Sequence, residues 1–201
     1  TANPHLAEVV TVLMKFFSCA NSFYAGKGYA DVDKRHSIVN PHVCLFGVSV
    51  PQSVMESISI ENMTDGFLSR LMIFEASDNS PPAVRYPVFD EPSDELISEL
   101  RWWNEYEPGG NLASLTAPQP RVILDGPGVN DLFFESEEYY RQQRESGEAG
   151  AALWTRAAEK ARKLALLYQL SKDRESHELE IDAARWALEV VMHLTKRMIF
   201  M

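Results

Sequence analysis

The side chains best placed to do chemistry in this sequence are cations. Arg156, Lys160 and Lys163 stand at i, i+4 and i+7 of a segment with helical spacing, so they form one basic stripe. Opposite an apolar face, such a stripe reads first as solvated surface. Lys27, Lys34 and Arg35 are interleaved with Tyr24 and Tyr29, a mixture that suits single-stranded DNA, with cations tracking phosphates and rings stacking on bases. Asp31 and Asp33 dilute that charge, and an ordinary exposed hairpin is the plain alternative. Gly47-Val48-Ser49-Val50-Pro51 approaches the G-x-S-x-G elbow, but Pro51 replaces the glycine on which the tight turn depends, which argues against a serine hydrolase. His42 and Cys44 lie two apart with no second ligand pair, so the spacing supports a buried cysteine and no metal site. Gly26-Lys27-Gly28 lacks the G-x-x-x-x-G-K-[ST] spacing of a phosphate loop.

Positioning these groups requires recognisable elements. Asn3-Pro4 opens a helix in which Leu6, Val9, Val10, Leu13, Phe16, Phe17 and Ala20 share one face. Residues 21–40 read as a loop or β-hairpin. His42 to Val50 is a continuous apolar run closed by Pro51, the pattern of a strand covered on both faces of a parallel sheet. A short helix is expected from Pro51 to Ser59, and a second doubly buried strand from Leu68 to Ala76. Residues 77–92 contain four prolines and read as a connector with one extended piece, Tyr86 to Phe89. Ser93 caps a helix carrying Leu96, Ile97, Leu100 and Trp103, and Arg121 to Leu124 is a short strand. Three helices follow. The first buries Val129, Leu132, Phe133 and Tyr140; the second, from about Ala151 to Ser171, buries Leu153, Trp154, Ala157, Ala161, Leu164 and Tyr168; the last buries Trp186, Val190, Leu194 and Met198.

The chain of 201 residues is 45% hydrophobic, which excludes wholesale disorder, and no apolar run is long enough to span a membrane. Two cysteines, Cys19 and Cys44, are too few for a disulfide framework and fit a reducing compartment, with cytoplasm the default. The absence of an initiator Met suggests an excised part of a longer protein. The net charge of −10 argues against nucleic-acid binding by bulk positive charge. Residues 75–107 carry two basic and nine acidic groups, whereas residues 151–201 carry nine basic and seven acidic, so a locally basic edge remains at the end of the chain.

Leu68-Ser69-Arg70-Leu71-Met72-Ile73-Phe74 resembles the L-S-R-F-D-x-I-F segment of hexameric replicative helicases of the minichromosome-maintenance type. Arg156-Ala157-Ala158-Glu159 with Lys163-Leu164-Ala165 is similar to the R-x-L-E-x-x-x-R-L-A helix of the same proteins. Pro41 to Gln52, Asp65 to Arg70 and the Trp154 helix look more closely like a group of prophage and plasmid proteins with a primase/helicase-like P-loop ATPase. The resemblance covers about residues 1–76 and 125–200.

The resemblance implies an α/β fold: a partial RecA/AAA-like parallel sheet in residues 1–78, an acidic proline-rich connector in 79–120, and a mostly helical lid subdomain in 121–201. It makes Arg70 an arginine finger acting on a neighbouring subunit's nucleotide and Arg156 a lid sensor acting within its own. Ser49 or Gln52 replaces the usual Asn of the sensor strand, and Lys27, Lys34 and Arg35 fall on the DNA-contacting hairpin. The full-length protein would use ATP and Mg2+ to move on DNA as a self-associated ring, with its Walker strands upstream of Thr1; this fragment alone is expected to hold neither. The chemistry suits arginine, because phosphoryl transfer spreads negative charge that a planar, permanently charged fork stabilises. Without the resemblance, Arg70 has a plainer role, solvating a strand end or pairing with Asp65 or Glu75. The whole chain likewise has two other readings, a non-catalytic DNA-binding or oligomerisation module and an unrelated α+β enzyme.

Overall fold

The computed structural model describes residues 4–26, 37–57, 66–76, 91–106, 121–147 and 150–200. They are mostly helical, with a two-stranded parallel pair and a two-stranded antiparallel hairpin. Pro4 opens α1 (Pro4–Ser18), where its missing N–H costs nothing. The hairpin follows as β1 (Phe23–Ala25) and β2 (Ser37–Val39), with Phe23 opposite Val39 and Ala25 opposite Ser37. Phe16 meets Tyr24 edge-on at 4.9 Å, which fastens the hairpin to α1. After α2 (Pro51–Ser57) come a 3-10 turn at Leu68–Arg70 and α3 (Asp94–Glu105), whose Ser93 hydroxyl accepts from the Leu96 N–H as a helix cap.

The core lies in the last two-fifths of the chain. β3 (Leu124–Asp125) pairs in parallel with β4 (Glu178–Leu179), and α4 (Val129–Glu145), a 3-10 turn (Ala151–Arg156), α5 (Ala157–Lys172) and α6 (Ile181–Phe200) pack around it. Ala157, Ala161 and Ala165 on α5 are buried in the same cluster as Ala183, Ala184 and Ala187 on α6, and side chains this small allow the two helices to approach closely. Tyr140 stacks on Trp154 at 5.5 Å to fill the α4 side. Gln169 is fully buried: its amide oxygen accepts from the Glu180 N–H at 3.1 Å and its nitrogen donates to Ser176 Oγ at 3.3 Å, so the α5–β4–α6 connection satisfies its own polar groups. Gly126 is required beside β4, since a Cβ there would lie 2.7 Å from the Leu179 carbonyl oxygen. A second cluster of Leu68, Leu153 and Met198, joined by Leu71, Ile73 and Ile199, lays the segment after the first 3-10 turn against this bundle.

Several elements differ from the sequence reading. The apolar run from His42 to Val50 forms no strand; Phe46 is 93% and Val48 86% exposed. A strand is defined by its ladder partners, and none of the described residues pairs with this run. Cys44, expected to be buried there, is exposed. Leu68 to Ala76 is a 3-10 turn followed by an irregular segment in which Leu71, Met72 and Ile73 are half-buried against the bundle and Phe74 is exposed. The parallel pairing that is present joins β3, at the end of the short strand expected over Arg121 to Leu124, with β4, which was not expected. The α3 residues Leu96, Ile97, Leu100 and Trp103 are exposed, and the Tyr86 to Phe89 piece lies outside the described residues. On α6 the buried stripe runs through Ala184, Ala187, Leu188, Val191, Leu194, Thr195 and Met198, which leaves Trp186 at its flank.

Candidate functional site

The two arginines singled out by the sequence come to one junction, between the end of α1, the Leu68–Arg70 turn and the start of α5. Gly66, at φ +83°, turns its carbonyl into an acceptor for both Ser69 Oγ at 2.8 Å and Arg70 Nη1 at 2.6 Å. Ser69 is buried, and the hydrogen bond from Arg70 to the carbonyl that Ser69 also holds keeps Arg70 half-buried beside the turn, its guanidinium 5.8 Å from the Phe17 ring centroid. Of the two acidic partners considered for Arg70, Glu75 pairs with Arg197 on α6 and Asp65 lies outside the described residues.

Arg156 ends the second 3-10 turn and Glu159 begins α5. Arg156 Nη1 donates to Glu159 at 3.2 Å, Lys163 Nζ lies 3.0 Å from the same carboxylate, and Ser18 Oγ donates to it at 3.0 and 3.2 Å. Arg156 Nε is buried and has no hydrogen-bond partner. Lys163 also donates to the Phe17 carbonyl and sits 3.5 Å from the Phe17 ring centroid, against the ring that Arg70 approaches. A chain of contacts therefore runs from Arg70 through Phe17 to Lys163, Glu159 and Arg156.

The middle cation of the expected stripe is not on the surface. Lys160 is 4% exposed, and its Nζ donates to the Leu71 carbonyl at 3.1 Å, which ties α5 to the residue that follows Arg70. Its neighbours Ala157 and Ala161 are buried, so this part of α5 faces inward and the lysine stem is carried in with it. Burial lowers its ammonium from 10.5 to about 8.

Ser49 and Gln52 are exposed, on the irregular 41–50 segment and in the first turn of α2. Lys27, Lys34 and Arg35 lie outside the described residues. Tyr24, read as a base-stacking ring, packs on Phe16 instead. Trp102, Trp103 and Tyr106 line a cleft of about 320 Å³ with Leu166 and Leu170 of α5, in keeping with a contact between parts of the chain. Arg174 lies over Trp102 at 4.8 Å and pairs with Glu99 at 2.7 Å on the same helix.

Sequence reasoning did not single out Ser18, Phe17 as a cation platform, or Glu159 as the shared anion. The spacing of Glu159 was a usable signal, three residues after Arg156 and four before Lys163, where a helix brings all three together. Among the described residues no group of three or more His, Cys, Asp or Glu side chains could hold a metal ion. No described helix is long and apolar enough to cross a membrane. Comparison with protein-family models, with curated proteins and with solved structures gives no match, so they assign no family or activity to this geometry.

Proposed function

We propose that this chain is the arginine-bearing part of a mobile-element DNA-replication ATPase of the primase/helicase-like kind, in which Arg70 and Arg156 act on the phosphates of a bound nucleotide. The observation that supports the reading is a relay of contacts between two arginines 86 residues apart in sequence, which runs from Arg70 to the Phe17 ring, on to Lys163 and Glu159, and so to Arg156. In this reading Arg70 acts in trans on a neighbouring subunit's triphosphate and Arg156 in cis on its own. A guanidinium delivered to the transferred phosphoryl group is worth about 10³–10⁵ in rate.

In this reading the exposed apolar run from His42 to Val50, irregular here, would pair as a strand only once a RecA/AAA-like sheet covered it, and Lys27, Lys34 and Arg35 would contact single-stranded DNA. ATP is the substrate. No G-x-x-x-x-G-K-[ST] phosphate loop stands among these 201 residues, and the cations described here would act on phosphate oxygens alone. The same exposed run favours a second reading, a non-catalytic oligomerisation or DNA-binding module, because an apolar patch of this kind marks an association surface.

The test is Arg70→Ala in the intact protein. Turnover should be abolished while nucleotide binding is retained. Normal turnover in the variant removes Arg70 from the mechanism, and a parent protein without any nucleotide turnover leaves the second reading.

A further inference from the structure

Glu159 is bound in the way a phosphate would be. A hydroxyl from α1 (Ser18), a guanidinium from the turn (Arg156) and an ammonium from α5 (Lys163) converge on its two oxygens at 3.0 to 3.2 Å. These are the donor types that recognise phosphate oxygens, and the fork of arginine in particular fits them. Arg156 keeps a further donor, the buried Nε, that Glu159 does not use. The side chains of Arg156, Lys163 and Glu159 are 35%, 40% and 28% exposed, so a ligand can reach them without unfolding the chain.

We propose that Ser18, Arg156 and Lys163 form a seat for a phosphate group, and that the Glu159 carboxylate fills this seat in the free protein as an internal counter-ion that an arriving phosphate displaces. A phosphate monoester or polyphosphate brings more charge than a carboxylate, and three oxygens in place of two, to the same donors. The balance between Glu159 and the ligand then sets the affinity, so Glu159 makes the seat selective for polyanions over single carboxylates. The proposal rests on the function proposed above only for which phosphate arrives, and the seat stands whether or not that phosphate is hydrolysed. The phosphate could belong to a free nucleotide or to a DNA backbone.

Glu159→Gln keeps the shape of the side chain and removes its charge. By titration calorimetry at low salt, this variant should bind inorganic tripolyphosphate at least about tenfold more tightly than the unaltered chain, equivalent to about 1.4 kcal/mol. Adding Lys163→Met should reverse the gain. Glu138→Gln, which removes an equal charge from the exposed Arg141 pair, should give no comparable gain. A short oligothymidylate measured in parallel identifies the source: a gain for tripolyphosphate supports a nucleotide's phosphates, and a gain for the oligonucleotide alone supports a seat for the DNA backbone. A gain for neither, or an equal gain in Glu138→Gln, overturns the seat. Should Glu159→Gln not fold, the unaltered chain still provides a test, because tripolyphosphate should raise its melting temperature and Lys163→Met should abolish that rise. Equal rises in both, or none in the unaltered chain, overturn the proposal. Loss of the seat would leave the Arg70 turnover test standing, and normal turnover in Arg70→Ala would leave the seat standing.

Discussion

Replacing Lys160 by methionine should change how the stability of this protein depends on pH, with a sign and size that follow from burial. In the folded chain the ammonium is held to about 8, whereas an unfolded lysine keeps its proton to 10.5. Between those values the unfolded chain binds more protons than the folded one, so stability rises with pH. The penalty for a buried charge is present in full below pH 8 and is relieved as the pH rises through 10.5; the gap corresponds to about 3 kcal/mol. The hydrogen bond to the Leu71 carbonyl survives the titration, because a neutral amine still donates. Methionine has similar length and no charge, but it leaves that carbonyl without a donor, at a cost of about 1–3 kcal/mol. Lys160→Met should therefore be level with the unaltered protein or up to about 2 kcal/mol more stable at pH 7, and about 1–3 kcal/mol less stable near pH 10.5, a swing of about 3 kcal/mol. Urea unfolding of both proteins at a series of pH values measures the difference. Other groups cancel in it, including Tyr140, which burial pushes up to about 12 and which lowers stability in both proteins above pH 10. A difference that stays constant from pH 7 to 10.5 would refute the placement of Lys160 in the interior.

Two further substitutions test the packing around α6 and α4. Gly150→Ala should cost about 2–4 kcal/mol, since the residue has φ +85° and a Cβ would sit 2.7 Å from Ile199 Cγ1, combining backbone strain with overpacking. Gly147→Ala, at φ +71° with open space around it, should cost only the strain, about 1–2 kcal/mol; equal losses in thermal melts would disprove the contact with Ile199. Tyr140→Phe removes a buried hydroxyl that has no hydrogen-bond partner and should be neutral or stabilising by about 1 kcal/mol, with one fewer late-titrating tyrosine in alkaline difference spectra. A loss of more than about 1 kcal/mol would show that the hydroxyl does have a partner.

The parts of this fold that were legible in the sequence are those whose rules are local. Helix starts were readable from Pro4 and Ser93, and the α4 and α5 faces from Val129, Phe133, Trp154 and Ala161, because capping and the 3.6-residue period need only nearby residues. The α6 face was read correctly at Leu194 and Met198 but not at Trp186 and Val190, because large residues were weighted above alanines, while the structure buries Ala183, Ala184 and Ala187 to bring two helices close. The 41–50 run failed for a different reason. Its composition states what it would bury, but a strand also needs a neighbour, and neighbours are a non-local fact. At the site, the resemblance pointed to Arg70 and Arg156, yet Phe17 was read as part of the buried α1 face and Glu159 only as part of the arginine-bearing motif, so the contacts they make between the two were not foreseen.

Lys160 shows why the basic stripe could not be taken as surface from its spacing. The three residues span nearly two turns, and a helix wedged between α6 on one side and the Leu71 segment on another has little solvent left for all of them. The structure divides the stripe by partner: Arg156 and Lys163 take the half-exposed carboxylate of Glu159, and Lys160 takes a buried carbonyl. This division keeps Arg70 in place, since the carbonyl that Lys160 holds belongs to the next residue and the ring that Lys163 covers is the one Arg70 approaches. The inner lysine sets the position of the turn, while Arg70, Arg156 and Lys163 remain within reach of solvent. That arrangement is better suited to meeting a phosphate than three equivalent cations on an open helix face, where side-chain entropy and screening would weaken each of them.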